Sequence, residues 1–394
     1  MIFLPARMGL LNRRALIRQM ERAGVASRAV LARALGMSQP TAGKIVDELL
    51  AEKILEELDS PGETQAVGTS LGRPGRQLCL NRARPGFLGI QLGIRQTDLF
   101  ELALGPSSGP LWQSFFDLPS NAAEPASMWE RSLHATAKIV RTQNIRCVIL
   151  SVPGLVDESA GRILFSPNIH WSEGADLPAL VQQIWNVPVL VVQEERALAL
   201  GHHRHQPEHE DFLLVDFGDG VGGAILVGGK PFNGPLPISG ELGHTPVPGN
   251  RRKCGCGAIG CVETLVSTRG LLESFGAAHP RKKRDWASLQ NHLAHNGVEP
   301  WLAEALHAAA VVIAGSLNVL GLRRVVITGA LTELVPAVVE QLSDAVQKGA
   351  MWARFGEVEC VAAPRRRAAG LVAVGIDRFI APEAGMAGQN LETK

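Results

Sequence analysis

The sequence predicts an α/β protein of two related lobes behind a small, separate helical head. Three observations carry that reading. Two distant segments, FLGIQLGIRQTDLFELAL from Phe87 and FLLVDFGDGVGGAILVGG from Phe212, each read as a strand, a glycine turn and a second strand. Each is followed by apolar strands alternating with helical stretches, the pattern of α/β architecture. The charge is also unevenly divided: residues 1–84 hold 13 basic and 8 acidic side chains, net +5, while the rest hold 26 and 30, net −4. A basic head on a mildly acidic body points to a module that meets an anionic partner.

In the head, Leu10, Leu11, Leu16, Ile17 and Met20 fall near helical spacing up to Gly24. Ser27 is placed to cap a second helix, SRAVLARALG, closed by Gly36. Ser38 is placed to cap a third, SQPTAGKIVDELLAEK, with Pro40 in its first turn. Two short helices joined by about three residues around a glycine make a helix-turn-helix, although an ordinary helical hairpin gives the same pattern. Val30, Leu31 and Leu35 are expected to pack on Ile45, Val46 and Leu49. That leaves Ser38, Gln39, Thr41, Ala42, Gly43 and Lys44 as the DNA-side candidates, with Gln39 suited to an adenine edge and Lys44 to guanine or phosphate. A glycine costs about 1 kcal/mol inside a helix; close approach to DNA explains Gly43, and so does tight helix packing. The following ILEELDS, the polar segment 59–71 and GRPGRQLCLN read as two strands and a wing. Its Arg73 and Arg76 are candidates for a minor groove. The expected head is a winged helix-turn-helix domain over 1–84.

The body spans 85–394, with a first lobe of 85–195 plus the C-terminal helix and a second lobe of 196–380. Registering Phe87 on Phe212 puts Gln91 on Asp216 and Gly93 on Gly218. Further strands are expected at 147–152, 187–192 and 323–328, and helices at 124–142, 300–320 and 331–349, with a cleft between the lobes.

The second lobe carries CGCGAIGC with a histidine upstream. His244, Cys254, Cys256 and Cys261 make a four-ligand set for tetrahedral zinc, and Gly255, Gly257 and Gly260 allow the tight folding it needs. Four protein ligands mean a closed, structural site; the alternative is a patch of buried thiols. The remaining cysteines (Cys79, Cys147, Cys360) are scattered, which fits a reduced, cytoplasmic protein. The N-terminal apolar run is too short for a signal peptide. No stretch approaches the roughly 18 apolar residues of a membrane span, so no membrane insertion is expected. The histidine-rich GHHRHQPEHE (201–210) reads as a solvated loop rather than a metal site, and RKKR (281–284) as an exposed loop.

The run DFGDGVGGAILVGGKPFNGPLPISGELGHTPV, followed by CGCGAIGCVET, resembles the signature region of the ROK family of repressors, open reading frames and sugar kinases. SRAVLARALGMSQPTAGKIVDELL and the later GRP resemble the winged helix-turn-helix of that family's repressors. The resemblance implies an actin-like, ribonuclease-H-like body. It also implies a sugar pocket lined by Asn168, Glu241, His244 and Glu263, with one nitrogen of His244 on zinc and the other facing the sugar. The family's catalytic Asn-Asp pair falls on Gln193 and Glu194, so Glu194 marks a vestigial base position that can still bind a hydroxyl. In the first phosphate loop Gln91 replaces the expected Asp, and Ile94 and Arg95 replace small residues. Asp219 stands where Thr is usual in the second loop, and TGAL (328–331) keeps part of the adenosine-side turn. Phosphoryl transfer is therefore not expected. The function expected is that of a sugar-responsive repressor. Its partners would be a palindromic DNA operator, a sugar or sugar phosphate effector, and copies of itself in a homodimer or homotetramer. A kinase with a fused head, and a regulator controlled by a protein partner, are the alternatives.

Overall fold

A computed structural model describes residues 5–58, 76–106, 109–118, 124–140 and 145–382. The head starts with α1 (Pro5–Ala23), whose Leu16, Ile17 and Met20 are buried. β1 (Ala26–Ser27) leads into α2 (Arg28–Ala34), and α3 (Gln39–Ala51) follows. Both serine caps form: Ser27 Oγ accepts from the Val30 amide at 3.4 Å and Ser38 Oγ from the Thr41 amide at 3.3 Å. Gly36 closes α2 in the left-handed region at φ 62°. β2 (Leu55–Glu57) and β3 (Gln77–Leu80) pair antiparallel, with β1 on the other side of β3. Three helices and this small sheet form a helix-turn-helix head; the segment 59–75 between β2 and β3, where the wing is expected, lies outside the described residues.

Two details differ from the expected packing. Val30 is exposed, and Ala32 takes the buried place beside Leu31. Ala42 is fully buried with Ile45, Val46 and Leu49, so it belongs to the inner face of α3 and not to its DNA side. On the short α2 the inner face turns from Val30 towards Ala32, whereas on α3 Ala42 lies three, four and seven residues before Ile45, Val46 and Leu49 and so shares the face those residues already marked.

The first lobe contains β4 (Phe87–Leu92), β5 (Gln96–Leu102), β6 (Trp112–Asp117), α4 (Pro125–Ala137) and β7 (Cys147–Val152). It continues with the hairpin β8 (Leu155–Asp157) and β9 (Arg162–Phe165), then α5 (Leu177–Trp185) and β10 (Val189–Gln193). α6 (Glu194–His205) leads to the second lobe. There β11 (Phe212–Phe217), β12 (Val221–Val227) and β13 (Lys230–Pro231) precede α7 (Glu263–Val266), α8 (Thr268–Ala278), α9 (Trp286–Asn296) and α10 (Pro300–Leu320). β14 (Arg324–Gly329), α11 (Pro336–Gly349), β15 (Glu359–Ala362) and α12 (Arg367–Gly375) complete the chain of elements.

The duplication is explicit in the sheets. Their orders are β10-β7-β4-β5-β6 and β13-β12-β11-β14-β15. In each, the first strand of the lobe pairs antiparallel with the second and parallel with the fourth. The register matches residue for residue: Gln91 sits beside Ser151, and Asp216 beside Thr328.

α10 is long and apolar enough to cross a membrane by length and composition, contrary to the expectation that no such stretch exists. It is a core helix: Leu302, Leu306, Ile313 and Leu317 are buried in the second lobe, in the cluster that also holds Val338, Leu342 and Val346 of α11.

α6 and α12 join the lobes. α6 lies on β11 and β12, α12 lies on β4 and β7, and the two helices pack on each other. Their contact is very close: a Cβ on Gly370 would lie 1.9 Å from the Ala197 carbonyl oxygen, and one on Gly201 2.4 Å from that of Arg366. The residues 201–205 are the last turns of α6, and His202 is buried, so the histidine-rich stretch is not simply a solvated loop. RKKR does lie exposed between α8 and α9.

The head rests on these two helices. Glu21 of α1 pairs with Arg204 of α6 at 3.2 Å, and Arg18 of α1 bonds Asp377, just beyond α12. Leu16, Ile17 and Met20 share one apolar cluster with Leu200, Leu371 and Val374.

Candidate functional site

The two lobes enclose a cleft of about 460 Å³, a size suited to a small ligand. It is built from loops at equivalent ends of the two sheets: the β4–β5 turn (Gly93, Ile94, Arg95) and the β11–β12 turn (Gly218, Asp219, Gly220). Added to these are the start of α6, the loop after β9 and the 3-10 turn Leu242–His244. All five sugar-site candidates line it: Asn168, Glu194, Glu241, His244 and Glu263.

Each is held by a neighbour. Glu263 Oε2 accepts the Val221 amide at 2.9 Å, at the buried start of β12. Gln193 donates from Nε2 to Glu241 Oε1 at 3.3 Å, so the Gln193–Glu194 step serves the pocket through both residues. Asn168 lies close to Gly220 and Gly255, between the second glycine turn and the cysteine loop. Burial pushes the Glu194 carboxyl up, opposed by Arg367 at 3.5 Å. Glu195, also in the cleft, is pushed well above the usual range by burial and by Glu194 beside it. Its Oε2 has no hydrogen-bond partner. The cleft thus presents an amide, an imidazole and several carboxyl groups, of which burial pushes Glu194, Glu195 and Glu241 towards the protonated form. That mixture matches hydroxyl groups, which donate and accept at once.

Sequence reasoning passed over three of the groups here. Glu195 follows Glu194 in the first turn of α6. Arg365 and Arg367, in the PRRR run that leads into α12, come from far along the chain. Arg365 donates from Nε and Nη2 to both oxygens of Asp216, at 2.7 and 2.8 Å, and from Nη2 to the Phe217 carbonyl. Thr328 donates to the same carboxylate at 2.7 Å. Burial works against the Arg365 charge, but Asp216 holds it above its usual value. At the matching place in the first lobe, Gln91 Nε2 and Ser151 Oγ are buried without partners. The two odd residues of the glycine turns also find each other: Arg95 Nη2 lies 3.2 Å from Asp219 Oδ1, across the cleft.

The four candidate metal ligands converge beside the cleft. Their ligand atoms all lie within 4.8 Å of one another, with Cys254 Sγ 3.5 Å from His244 Nδ1 and Cys256 Sγ 3.7 Å from Cys261 Sγ. This cluster can hold a metal ion. His244 turns Nδ1 to the thiols and Nε2 towards Glu241 Oε2, 3.7 Å away in the cleft. Burial pushes the Cys254 thiol up to about 12, a cost that a cation on the sulfur would reverse. Gly257 and Gly260 take φ of 90° and 88°, as the tight loop requires. Arg252 ties the loop to α7 through the Thr264 carbonyl and to α8 through the Gly270 carbonyl and the Ser274 hydroxyl.

On the head, Ser38, Gln39, Thr41 and Lys44 are exposed at the start of α3. The Ser38 hydroxyl is already engaged as the cap and with Thr41 Oγ1 at 2.8 Å. Gly43 has nothing within 4 Å of where a Cβ would stand, which removes tight helix packing as its reason. Arg76 pairs with Glu57 at 2.5 Å on the surface, and Arg73 lies outside the described residues.

The ROK family model matches residues 122–374. The xylose repressor of Caldicellulosiruptor bescii is 26% identical over 264 residues, covering 63% of this chain and 61% of that protein. The DNA-binding transcriptional dual regulator NagC of Escherichia coli is 26% identical over 270 residues, covering 66% and 63%. The alignments thus span about three fifths of these relatives' lengths. Among solved structures, a ROK family transcriptional regulator described as a homolog of the E. coli MLC protein superposes with a TM-score of 0.75 at 19% identity, covering 93% of this chain and 96% of that one. A ROK family glucokinase from Streptomyces griseus, solved with glucose and AMPPNP, gives 0.60 at 22% identity, covering 73% and 97%. At these identities the structural likeness is one of fold.

Proposed function

The chain belongs to the ROK family, and on that premise we propose that it is a sugar-responsive transcriptional repressor. The observation that carries this reading is the convergence of Asn168, Glu194, Glu241, His244 and Glu263 on one cleft, joined by two helices to a DNA-binding head. The ligand is a sugar or sugar phosphate. Its hydroxyls meet the Asn168 amide, the carboxylates and His244 Nε2, and an analogue lacking one hydroxyl leaves a buried group unpaired.

The metal is zinc, since three thiolates and an imidazole suit that ion and leave no open position. It supplies a closed structural cross-link between the 3-10 turn and the cysteine loop, and so fixes the His244 ring for the sugar.

Signalling runs through α6 and α12. Each starts in the cleft, at Glu194 and Arg367, and each ends at α1, through Arg204–Glu21 and Asp377–Arg18. A sugar that prefers one lobe angle shifts the two helices and with them the head. The heads of a homodimer or homotetramer, reading a palindromic operator in the cytoplasm, then lose or gain their spacing. Ser38, Gln39, Thr41, Gly43 and Lys44 face the major groove, and Arg73 and Arg76 the minor groove. The Arg76–Glu57 pair is exposed, and such pairs are weak enough to exchange for phosphate.

The cleft is not that of an enzyme on this reading. Arg95 and Asp219 tie the two glycine turns to each other, and the Arg365 guanidinium lies 2.6 Å from where Cβ atoms on Gly218 and Gly329 would stand. These contacts occupy the turns that a nucleotide triphosphate would need.

Selection from a random duplex library by the zinc-loaded protein, at fixed near-physiological salt, tests the proposal. A palindromic motif that Lys44→Ala/Arg73→Ala no longer recovers, and from which one sugar releases the wild type, is the expected result. Sequence-independent binding with sugar-dependent ATP consumption would instead establish the kinase reading.

A further inference from the structure

We propose that His279, His292 and Glu299 form a second metal site, for a divalent transition cation of the zinc class, separate from the cysteine cluster. The three residues come from three elements. His279 caps the end of α8, His292 lies within α9, and Glu299 caps the start of α10. Their ligand atoms all lie within 4.8 Å of one another. His279 Nε2 is 2.7 Å from Glu299 Oε2, and His292 Nε2 is 3.2 Å from Glu299 Oε1. Ligand atoms at tetrahedral positions around a cation, with bonds of about 2.0–2.1 Å, are separated by about 3.3 Å, so the ring nitrogens need only small movements.

Two further observations point to a ligand. His292 is only 6% exposed, yet its Nε2 makes no hydrogen bond, despite standing close to the carboxylate. A buried imidazole nitrogen that stands 3.2 Å from a carboxylate without an aligned hydrogen bond, beside a second imidazole, leaves a place that a cation would fill. The carboxylate is also already oriented as a ligand's would be, because the Trp301 indole donates to Glu299 Oε2 at 2.7 Å. The imidazoles pack against each other at an interplanar angle of 52°, with ring centroids 4.3 Å apart, and Phe275 packs against both.

Two neighbours oppose the ion. The Lys282 ammonium reaches His292 Nδ1, which must carry a proton when Nε2 binds metal. Lys282 is exposed, so its side chain can leave for solvent; Asn296 Nδ2, 3.2 Å from Nδ1, is also a donor, and its amide must turn to offer Oδ1 to that proton, giving up its bond to the His292 carbonyl. Two imidazoles and a carboxylate suit zinc, cobalt or nickel and not calcium or magnesium. Three protein ligands leave a position for water. The ion would staple α8, α9 and α10 at the corner of the second lobe, and α8 is the helix to which Arg252 ties the cysteine loop.

Metal content after equilibrium dialysis against zinc tests the proposal on the full chain. The wild type is expected to hold two equivalents per chain, Cys254→Ser/Cys256→Ser one, and His279→Ala or Glu299→Gln one. Cobalt loaded into Cys254→Ser/Cys256→Ser should show visible ligand-field bands without thiolate charge transfer. Lys282→Gln should tighten the second equivalent about tenfold, because it removes a like charge next to the ion. A wild type that holds one equivalent, or a second equivalent that persists in both His279→Ala and Glu299→Gln, overturns the site. Unchanged affinity in Lys282→Gln overturns the placing of the ion at His292 Nε2. His279 and Glu299 are less buried than His292, so their variants keep the test usable if His292→Ala does not fold.

Discussion

Gly43 stands in the interior of α3 with helical dihedrals and open space beyond it, so replacing it by alanine separates two opposed effects. Alanine is favoured over glycine in a helix interior by about 0.8–1.0 kcal/mol. A Cβ at this position meets no atom within 4 Å, so no clash offsets the gain. Gly43→Ala should therefore stabilise the head by about 1 kcal/mol, read as slower amide exchange through Ile45–Leu49 and a higher denaturation midpoint. The same methyl stands four residues from Gln39 on the face turned to DNA, where the backbone must approach the groove. Operator affinity should fall about tenfold or more, the scale of losing one good base contact, of order 1–3 kcal/mol. Fluorescence anisotropy with the selected operator, at one salt concentration, measures it. A variant that is more stable and binds as well as the wild type would refute the reasoning, since no purpose would then remain for a glycine there.

Other outcomes follow from the body. Arg365→Ala leaves the Asp216 carboxylate buried without its cation and should destabilise the second lobe by about 3–5 kcal/mol in urea denaturation. Cys254→Ser/Cys256→Ser should keep DNA binding and lose release by sugar; a metal-free, folded and inducible variant would contradict the role given to the metal loop. Burial, with His209 beside it, pulls His202 down to about 4. The unfolded chain therefore takes up the His202 proton first, and stability should fall as pH drops from about 6.5 through about 4. His202→Phe should flatten that part of the pH–stability curve.

Much of this was legible in the residues because it rests on local chemistry. Ser27 and Ser38 mark helix starts whichever way the rest of the chain folds, and the cysteine spacing brings its own ligands together. The repeat at Phe87 and Phe212 was readable because strand alternation and glycine turns recur at the same offsets, and the parallel pairing of Gln91 with Ser151 and Asp216 with Thr328 follows from it. What escaped was non-local. Arg95 and Asp219 each looked like damage to a phosphate loop, and only the folded chain puts them 3.2 Å apart. Arg365 is 149 residues from Asp216, and no spacing rule connects them. Val30 was assigned to the wrong face because a helix as short as α2 fixes its phase loosely, and Ala42 because its i, i+3, i+4, i+7 relation to Ile45, Val46 and Leu49 was passed over.

The glycine contact between α6 and α12 has a mechanical consequence. With no side chain between them at Gly201 and Gly370, the helices touch at a fulcrum, and one lobe rides on each. Under the proposed signalling, the two helices would turn about that point, and a change of cleft angle would be a scissoring of the pair. α1 is bolted to both arms, at Arg204 and at Asp377, beyond the pivot from the cleft. It therefore senses the difference between the arms and ignores any movement they share. A device of this kind needs only a modest energetic preference for one angle, of order 1–3 kcal/mol, to give a usable switch. The ligand need not reshape the protein; it has only to lean on one side of a balance.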